Sequence, residues 1–201
     1  MAAGLQSAIP ANAVHLCVDM QRMFVEDTPW HSAWAGRVLP VIVRLCEFRA
    51  ERVCFTRFVP PGNPEQSRGA WRKYWETWSS MTLDRLDDRM VDLAEPLQRF
   101  VPPGRVLDKH VYSPWIGTDL DGALLRASVD TLIVTGAETD VCVLATVLGA
   151  ADRGYRIVMA TDALASTFDQ MHDNLMELYR DRYSHQIETA GMEEIVEAWS
   201  V

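Results

Sequence analysis

Near-continuous apolar runs alternate with amphipathic stretches along most of this 201-residue chain. The clearest runs, residues 131–136 and 157–162, are typical of strands that are covered on both faces by helices. A regular alternation of strands and helices favours a parallel sheet over an antiparallel one. We therefore predict a single-domain, three-layer α/β/α fold with a six-stranded parallel sheet in the strand order 3-2-1-4-5-6.

The spacing of apolar residues gives six strands and six main helices. The predicted strands are residues 13–19, 53–58, 105–110, 131–136, 156–161 and 184–189. The predicted helices are residues 38–50, 91–100, 119–127, 140–153, 169–181 and 193–199. We interpret residues 1–201 as one domain, in which residues 59–90 form a decorated crossover between the second and third strands.

Composition excludes several classes of protein. With 48% hydrophobic and 23% charged residues, the chain can bury a large core, which excludes general disorder. A net charge of −9 argues against a nucleic-acid partner. No apolar run approaches the roughly 18 residues that cross a bilayer, and the N-terminus lacks a secretory pattern. We expect a cytoplasmic protein with no membrane partner.

The four cysteines form neither a metal-binding nor a disulfide pattern. Cys17, Cys46 and Cys54 lie in apolar stretches and are interpreted as small core residues. Cys142 follows the strand that ends at Gly136 and lies near the start of a helix. Backbone N–H groups and the helix dipole would lower the thiol pKa there, and the alternative is an inert buried cysteine.

Two charged residues end other predicted strands. Asp19 closes the first strand and Lys109 closes the third, where an unpaired charge has no packing advantage. Each alone could be a turn residue or an edge-strand residue that faces water. The ends of the first, third and fourth strands are close together in the predicted order, and ligands bind at that edge. We therefore expect Asp19, Lys109 and Cys142 to meet in one cleft.

These residues lie in motifs that together resemble those of the isochorismatase-like cysteine hydrolases. That family includes nicotinamidases, N-carbamoylsarcosine amidases, biuret hydrolases and ureidoacrylate hydrolases. The resemblance extends over nearly the whole chain. Its motifs are Asp19-x-Gln21-x-x-Phe24, Lys109-x-x-Tyr112-Ser113, Gly136-x-Glu138-Thr139-x-x-Cys142-Val143 and Thr161-Asp162-Ala163.

The resemblance implies a catalytic triad of Asp19, Lys109 and Cys142. In the family mechanism the cysteine attacks an amide-type carbonyl, and the aspartate carries the thiol proton to the leaving amine. A thioester remains, and water hydrolyses it with the aspartate as base. The lysine holds the thiolate and sets the charge of the aspartate.

The resemblance also implies the backbone geometry next to the nucleophile. A cis peptide bond would join Ala137 to Glu138. The N–H groups of Val141 and Cys142 would then face the oxyanion of the tetrahedral intermediate.

Two departures from relatives narrow the expected activity. Isochorismatases proper cleave a vinyl ether and lack the cysteine, so Cys142 favours cleavage of a C–N bond. Nicotinamidases carry a metal-binding Asp/His cluster after the second strand, whereas residues 55–64 contain no histidine here. The five histidines show no ligand spacing. We therefore predict a metal-independent hydrolase without a cofactor.

Several residues are predicted to bind the substrate. Phe24 and Trp115 closely follow triad residues, and Glu138 lies in the turn before Cys142. Arg57 ends the second strand, where it either forms an ion pair or holds a substrate carboxylate or carbonyl. An aromatic wall suits a small planar amide, carbamoyl compound or ureide.

Trp71, Trp75 and Trp78 recur at helical spacing in the crossover. This stripe is typical of a helix face that packs in the core or at a subunit interface. Alternatively, it forms a pocket wall in which Trp75 contacts the substrate. Relatives are oligomers, so we expect a homodimer or homotetramer. Two alternatives to the enzyme remain: a non-catalytic binding or regulatory protein on this fold, and a thiol sensor, which the lack of a nearby resolving cysteine disfavours.

Overall fold

A six-stranded sheet forms the centre of the protein in the computed structural model, which describes residues 4–199. Every neighbouring pair of strands is parallel, and the order β3-β2-β1-β4-β5-β6 confirms the predicted fold. The strands are β1 (Val14–Val18), β2 (Val53–Phe58), β3 (Arg105–Lys109), β4 (Thr131–Ala137), β5 (Arg156–Ala165) and β6 (Ile187–Ala190). The predicted domain ends, at residues 1–3 and 200–201, lie outside the described part.

Eight α-helices accompany the strands in the described part of the chain. They are α1 (Arg22–Val25), α2 (Ala33–Phe48), α3 (Ala70–Thr77), α4 (Glu95–Gln98), α5 (Leu120–Arg126), α6 (Leu144–Asp152), α7 (Asp169–Asp181) and α8 (Met192–Trp199). None of these helices has the length and apolar character that crossing a membrane requires.

The sheet separates two apolar cores, which gives the predicted three layers. Successive residues of a strand point to opposite faces, so Cys17 of β1 packs with α2, α4 and α8. Its neighbours Leu16 and Val18 pack with α5, α6 and α7. Each face therefore carries its own helical layer over the same strands.

Two predicted helices have different limits in the structure. Helix α2 begins at Ala33 rather than at residue 38, ends at Phe48 rather than at residue 50, and contains Pro40. The predicted helix 91–100 is wrong, because only Glu95–Gln98 is α-helical. Pro96 lacks an N–H donor and fits only the first turn of a helix, so the helix cannot extend further back.

The crossover between β2 and β3 builds a third apolar cluster. It includes helix α3 and places Trp75 and Met81 against Phe58, near the end of β2. This cluster lies at the carboxyl end of β2. It therefore packs beside the ends of β1 and β3, where Asp19 and Lys109 are located.

Candidate active site

The carboxyl ends of three strands bring the three predicted triad residues together. Asp19 follows β1 in a left-handed conformation, with φ at 49°. Lys109 ends β3 and reaches across β2, so that its Nζ lies 5.1 Å from the ring centroid of Phe58. Cys142 lies in a π-helical turn, Thr139–Val143, between β4 and α6.

Lys109 connects the other two residues. Its Nζ lies 2.7 Å from Oδ2 of Asp19 and 3.5 Å from Sγ of Cys142. It also donates to the carbonyl of Val111 at 3.2 Å. Because both charged side chains are fully buried, their attraction is only weakly screened by water.

Thr56 of β2 holds the second oxygen of the Asp19 carboxylate. Its hydroxyl donates to Oδ1 of Asp19 at 2.6 Å and accepts from the Asp19 backbone N–H at 3.1 Å. The carboxylate is therefore fixed in position by Thr56 on one oxygen and Lys109 on the other. Sequence reasoning missed Thr56, although a buried threonine two residues before the end of an apolar strand is a usable signal.

Burial sets the protonation of Cys142. Burial and the nearby Asp19 carboxylate raise the pKa of the Cys142 thiol well above its usual value, and Lys109 lowers it by less. The predicted lowering of this pKa is therefore wrong, because the thiol is buried next to an anion. Burial lowers the pKa of Lys109, but Asp19 and Cys142 outweigh it and raise that pKa. The resting site thus holds a neutral thiol beside a carboxylate and an ammonium group.

A glycine allows the end of β4 to pass close to β1. Gly136 has φ at 110°, and a Cβ there would lie 2.0 Å from the carbonyl oxygen of Val18. The next peptide bond, between Ala137 and Glu138, is cis, as the family resemblance implied.

One of the two predicted oxyanion donors already has a partner. The Val141 N–H donates to the Glu138 carbonyl at 3.0 Å, so the structure does not support an oxyanion role for that amide. The hydroxyl of Thr146 donates to the Cys142 carbonyl at 2.7 Å and fixes the end of the turn.

A cavity of about 400 Å³ opens in front of Cys142. Two of the predicted substrate-binding residues, Phe24 and Glu138, line it. Most of its wall is aromatic, formed by Phe24, Trp30, Phe58, Tyr74, Trp78, Tyr112 and Phe168. Its volume and apolar wall suit a small organic ligand.

Trp30 lies at the centre of this wall. Its ring stacks on Phe24 with centroids 6.0 Å apart and meets the edge of Trp78 at 5.9 Å. Sequence reasoning missed Trp30, because it lies in an irregular segment with no periodic pattern.

The tryptophans of the stripe have different positions, with Trp75 in the core and Trp78 in the wall of the cavity. Trp75 is 1% exposed and stacks on Phe58 at 5.7 Å, behind the cavity, so the predicted substrate contact at Trp75 is not seen. Trp71 packs on Tyr112 with ring centroids 4.8 Å apart. Trp78 alone of the three lines the cavity.

Trp115 also lies outside the cavity lining. Its Nε1 donates to the Thr146 carbonyl at 2.8 Å, and its ring stacks on Tyr155 at 5.5 Å. The guanidinium of Arg153 covers it at 4.7 Å. Trp115 therefore joins the α6 layer to the loop after β3 rather than binding a substrate.

Arg57 forms ion pairs, which is one of the two roles expected for it from the sequence. It binds both oxygens of Asp108, at 2.7 and 2.9 Å, and Asp92 at 3.2 Å. Strand residues alternate in direction, so Arg57 points away from the face on which Thr56 binds Asp19 and Phe58 lines the cavity. The predicted substrate contact of Arg57 is therefore not seen.

No cluster of three or more His, Cys, Asp or Glu side chains suited to a metal ion occurs within residues 4–199. His15, for example, is buried in the core, where its Nε2 lies 2.7 Å from the Thr135 hydroxyl. The described residues after β2 therefore include no Asp/His cluster of the kind that nicotinamidases are expected to carry there.

Comparisons with known proteins agree with this architecture. Nicotinamidase 3 of Arabidopsis thaliana is 32% identical over 171 residues, which is 83% of this chain and 80% of that protein. The chain spans only 36 to 48% of the first curated relatives it matches, which are uncharacterised isochorismatase family proteins of Bacillus subtilis.

Two solved structures share the fold. A cysteine hydrolase from Pseudomonas syringae superposes with a TM-score of 0.84 at 22% identity, covering 98% of this chain and 96% of its own. N-carbamoylsarcosine amidase from Thermoplasma acidophilum has a TM-score of 0.71 at 23% identity, covering 92% and 96%. The model of the isochorismatase domain matches residues 13–191. This chain therefore belongs to the isochorismatase domain family.

Proposed function

We propose that this protein is a cysteine hydrolase that cleaves the C–N bond of a small amide, carbamoyl compound or ureide through a thioester. The observation that carries the proposal is the position of Lys109 Nζ, 2.7 Å from Asp19 and 3.5 Å from Cys142. These groups lie beside an aromatic cavity that Cys142 itself lines. The names of relatives, a nicotinamidase and an N-carbamoylsarcosine amidase, support C–N hydrolysis.

Asp19 acts as the base in the acylation step. The Cys142 thiol proton moves to the Asp19 carboxylate while Sγ bonds to the carbonyl carbon, and the carbonyl electron pair becomes an oxyanion. When the C–N bond breaks, the leaving nitrogen takes that proton from Asp19. A raised thiol pKa agrees with this order, because the proton leaves during the attack rather than before it.

Deacylation uses the same carboxylate. A water molecule gives a proton to Asp19 as its oxygen attacks the thioester, and the sulfur departs and recovers that proton. Lys109 stays protonated throughout and stabilises whichever of Asp19 or Cys142 is the anion. We assign the oxyanion to the backbone N–H of Cys142.

We propose that the protein works in the cytoplasm as a homodimer or homotetramer. Four unpaired thiols suit a reducing compartment. Large apolar side chains on the surface, such as Leu125 at 65% exposure and Ile116 at 63%, suit contacts between subunits. Sedimentation velocity tests the assembly, and a monomer at micromolar concentration would contradict it.

An ammonia-release screen over small amides, carbamoyl compounds and ureides tests the reaction. Cys142→Ala should abolish release, while the matched control Cys54→Ala, a half-buried thiol of β2, should retain it. Mass spectrometry of acid-quenched reactions should find an acyl adduct on the peptide that contains Cys142. Full activity in Cys142→Ala would refute the mechanism, and no release by the wild type across all three classes would favour a non-catalytic binding protein.

A further inference from the structure

The described side chains that line the cavity include a carboxylate but no lysine or arginine. Among the described residues that line it, Glu138 is the one carboxylate, and the one basic side chain is the exposed imidazole of His31. Lys109 lies behind the cavity wall, where the Asp19 carboxylate offsets its charge at 2.7 Å. Arg57, the cation that sequence reasoning placed here, is bound to Asp108 and Asp92. A carboxylate on a ligand would therefore find no lysine or arginine as a partner in the described lining.

Glu138 is held in place by hydrogen bonds rather than by a cation. Its Oε1 accepts from the backbone N–H of Thr167 at 3.0 Å and from the Thr167 hydroxyl. None of the ion pairs between described residues includes Glu138. This half-buried carboxylate thus presents an uncompensated negative charge beside the nucleophile.

The aromatic wall adds a second feature that favours cations. Trp30, Tyr74 and Trp78 line the cavity together, with Trp30 centroids 6.2 Å from Tyr74 and 5.9 Å from Trp78. Their interplanar angles of 41° and 70° present ring faces in different directions. Clusters of tryptophan and tyrosine faces bind ammonium groups through cation–π attraction, which strengthens where water is excluded.

We propose that this cavity selects amides whose non-reacting end carries a positive charge, such as an ammonium or quaternary ammonium group. Glu138 and the rings of Trp30, Tyr74 and Trp78 hold the cation, while the carbonyl carbon lies at Cys142. The net charge of −9 attracts the same class of ligand from solution. The inference rests on the proposed function for the reacting group, and it specifies the substrate class of that site.

A pair of isosteric amides tests the charge preference directly. Trimethylammonioacetamide and 3,3-dimethylbutanamide have the same shape, but only the first carries a positive charge. Tryptophan fluorescence titrations of Cys142→Ala, which keeps the lining and avoids turnover, measure the Kd of each. We expect binding of the cation to be about tenfold tighter than that of the neutral amide.

Substitution at Glu138 locates the source of the preference. Adding Glu138→Gln, whose amide oxygen can still accept from Thr167, should reduce the ratio of the two Kd values at least about fivefold. The matched control Glu177→Gln, which removes an exposed carboxylate on α7, should keep the ratio. Added salt tests the same charge without a substitution, because it should weaken binding of the cation more than that of the neutral amide.

The outcomes separate this inference from the proposed reaction. Equal Kd values for the two amides, or a preference that survives Glu138→Gln, would overturn the charge selection even if the wild type releases ammonia from both. Tighter binding of the cation with no ammonia release from any amide would uphold the charge selection and refute the hydrolase. Faster release from the cationic amide by the wild type, absent in Cys142→Ala, would support both.

Discussion

The Nζ of Lys109 lies 2.7 Å from the Asp19 carboxylate, and both side chains are completely shielded from solvent. The two residues come from strands that are not neighbours, because β2 lies between β1 and β3. Removing two opposite charges from water is costly, and their attraction repays the cost only while both are present. This ion pair therefore links the stability of the sheet edge to the proposed chemistry.

Replacing one partner of this pair should strongly destabilise the fold. Lys109→Met leaves Asp19 buried and unpaired, and it should lower the free energy of unfolding by about 3–5 kcal/mol. Asp19→Asn combined with Lys109→Met should lower it less than Lys109→Met alone, because no charge then remains unpaired. Urea unfolding of the three proteins measures both effects.

A surface ion pair provides the control for that comparison. Arg126 pairs with Asp119, and both side chains are about two thirds exposed, at 67% and 70%. Arg126→Met should cost no more than about 1 kcal/mol. Equal losses in Lys109→Met and Arg126→Met would show that the buried pair has no special role in stability.

The Asp19→Asn variant should lose activity and yet react faster with an alkylating reagent. The charge of Asp19 raises the pKa of Cys142, so its removal should lower that pKa while Lys109 remains. Each unit by which the pKa falls gives about tenfold more thiolate at pH 8. Peptide mapping after timed treatment with iodoacetamide measures the rate at Cys142.

Cys54 serves as the internal reference in that experiment. Burial raises the pKa of Cys54 to about 11, Asp19 is not among the causes of that shift, and Cys54 lies outside the cavity lining. The labelling rate of Cys54 should therefore stay the same in Asp19→Asn while that of Cys142 rises, and the surface substitution Asp181→Asn should leave both rates unchanged. Slower labelling of Cys142 in Asp19→Asn would contradict the assigned electrostatics.

The sequence predicted the strand order and the meeting of Asp19, Lys109 and Cys142 because both follow from local patterns and one topological rule. Each of the three residues lies just after or at the end of an apolar strand, and the order of a doubly wound sheet brings those ends together. The protonation of Cys142 could not be predicted in the same way. Its pKa depends on burial by segments that are distant in sequence.

The same difference, between features set by local sequence and features set by distant segments, explains which residues near the cavity could be predicted. Phe24 and Glu138 lie one turn from triad residues, so proximity along the chain was sufficient to predict them. Trp30 comes from an irregular segment whose position no periodicity fixes. Arg57 could have been placed correctly, since a period of two sets it on the opposite face from Thr56 and Phe58.

Gly136 should tolerate no side chain. Its φ of 110° and the 2.0 Å approach of a Cβ to the Val18 carbonyl leave no room, and the obstacle is backbone that cannot rotate away. Gly136→Ala should therefore lose about 4 kcal/mol or more, or fail to fold. Gly154→Ala, at φ of 81° with open space around it, should lose about 1–2 kcal/mol. Thermal unfolding compares the two, and similar losses would show that the close approach to β1 is unimportant.

Arg57→Gln should leave catalysis nearly unchanged. Because Arg57 is bound to Asp108 and Asp92 outside the cavity lining, its loss should cost at most about 1 kcal/mol in stability. We expect kcat/KM for any substrate found in the screen to stay within about twofold. A tenfold rise in KM at constant kcat would instead return Arg57 to the role of a substrate contact.

His15 should make the fold sensitive to acid. Burial lowers the pKa of His15 from 6.5 to about 3, so the folded protein keeps the ring neutral while the unfolded chain binds a proton. Stability is therefore fully present above pH 6.5 and is lost as the pH falls toward 3, by up to about 1.4 kcal/mol per pH unit. His15→Gln retains a polar partner for the Thr135 hydroxyl but has no titrating group. Urea unfolding between pH 7 and 4 should show a shallower loss in His15→Gln than in the wild type, whereas parallel curves would mean that other groups, and not His15, dominate the response to acid.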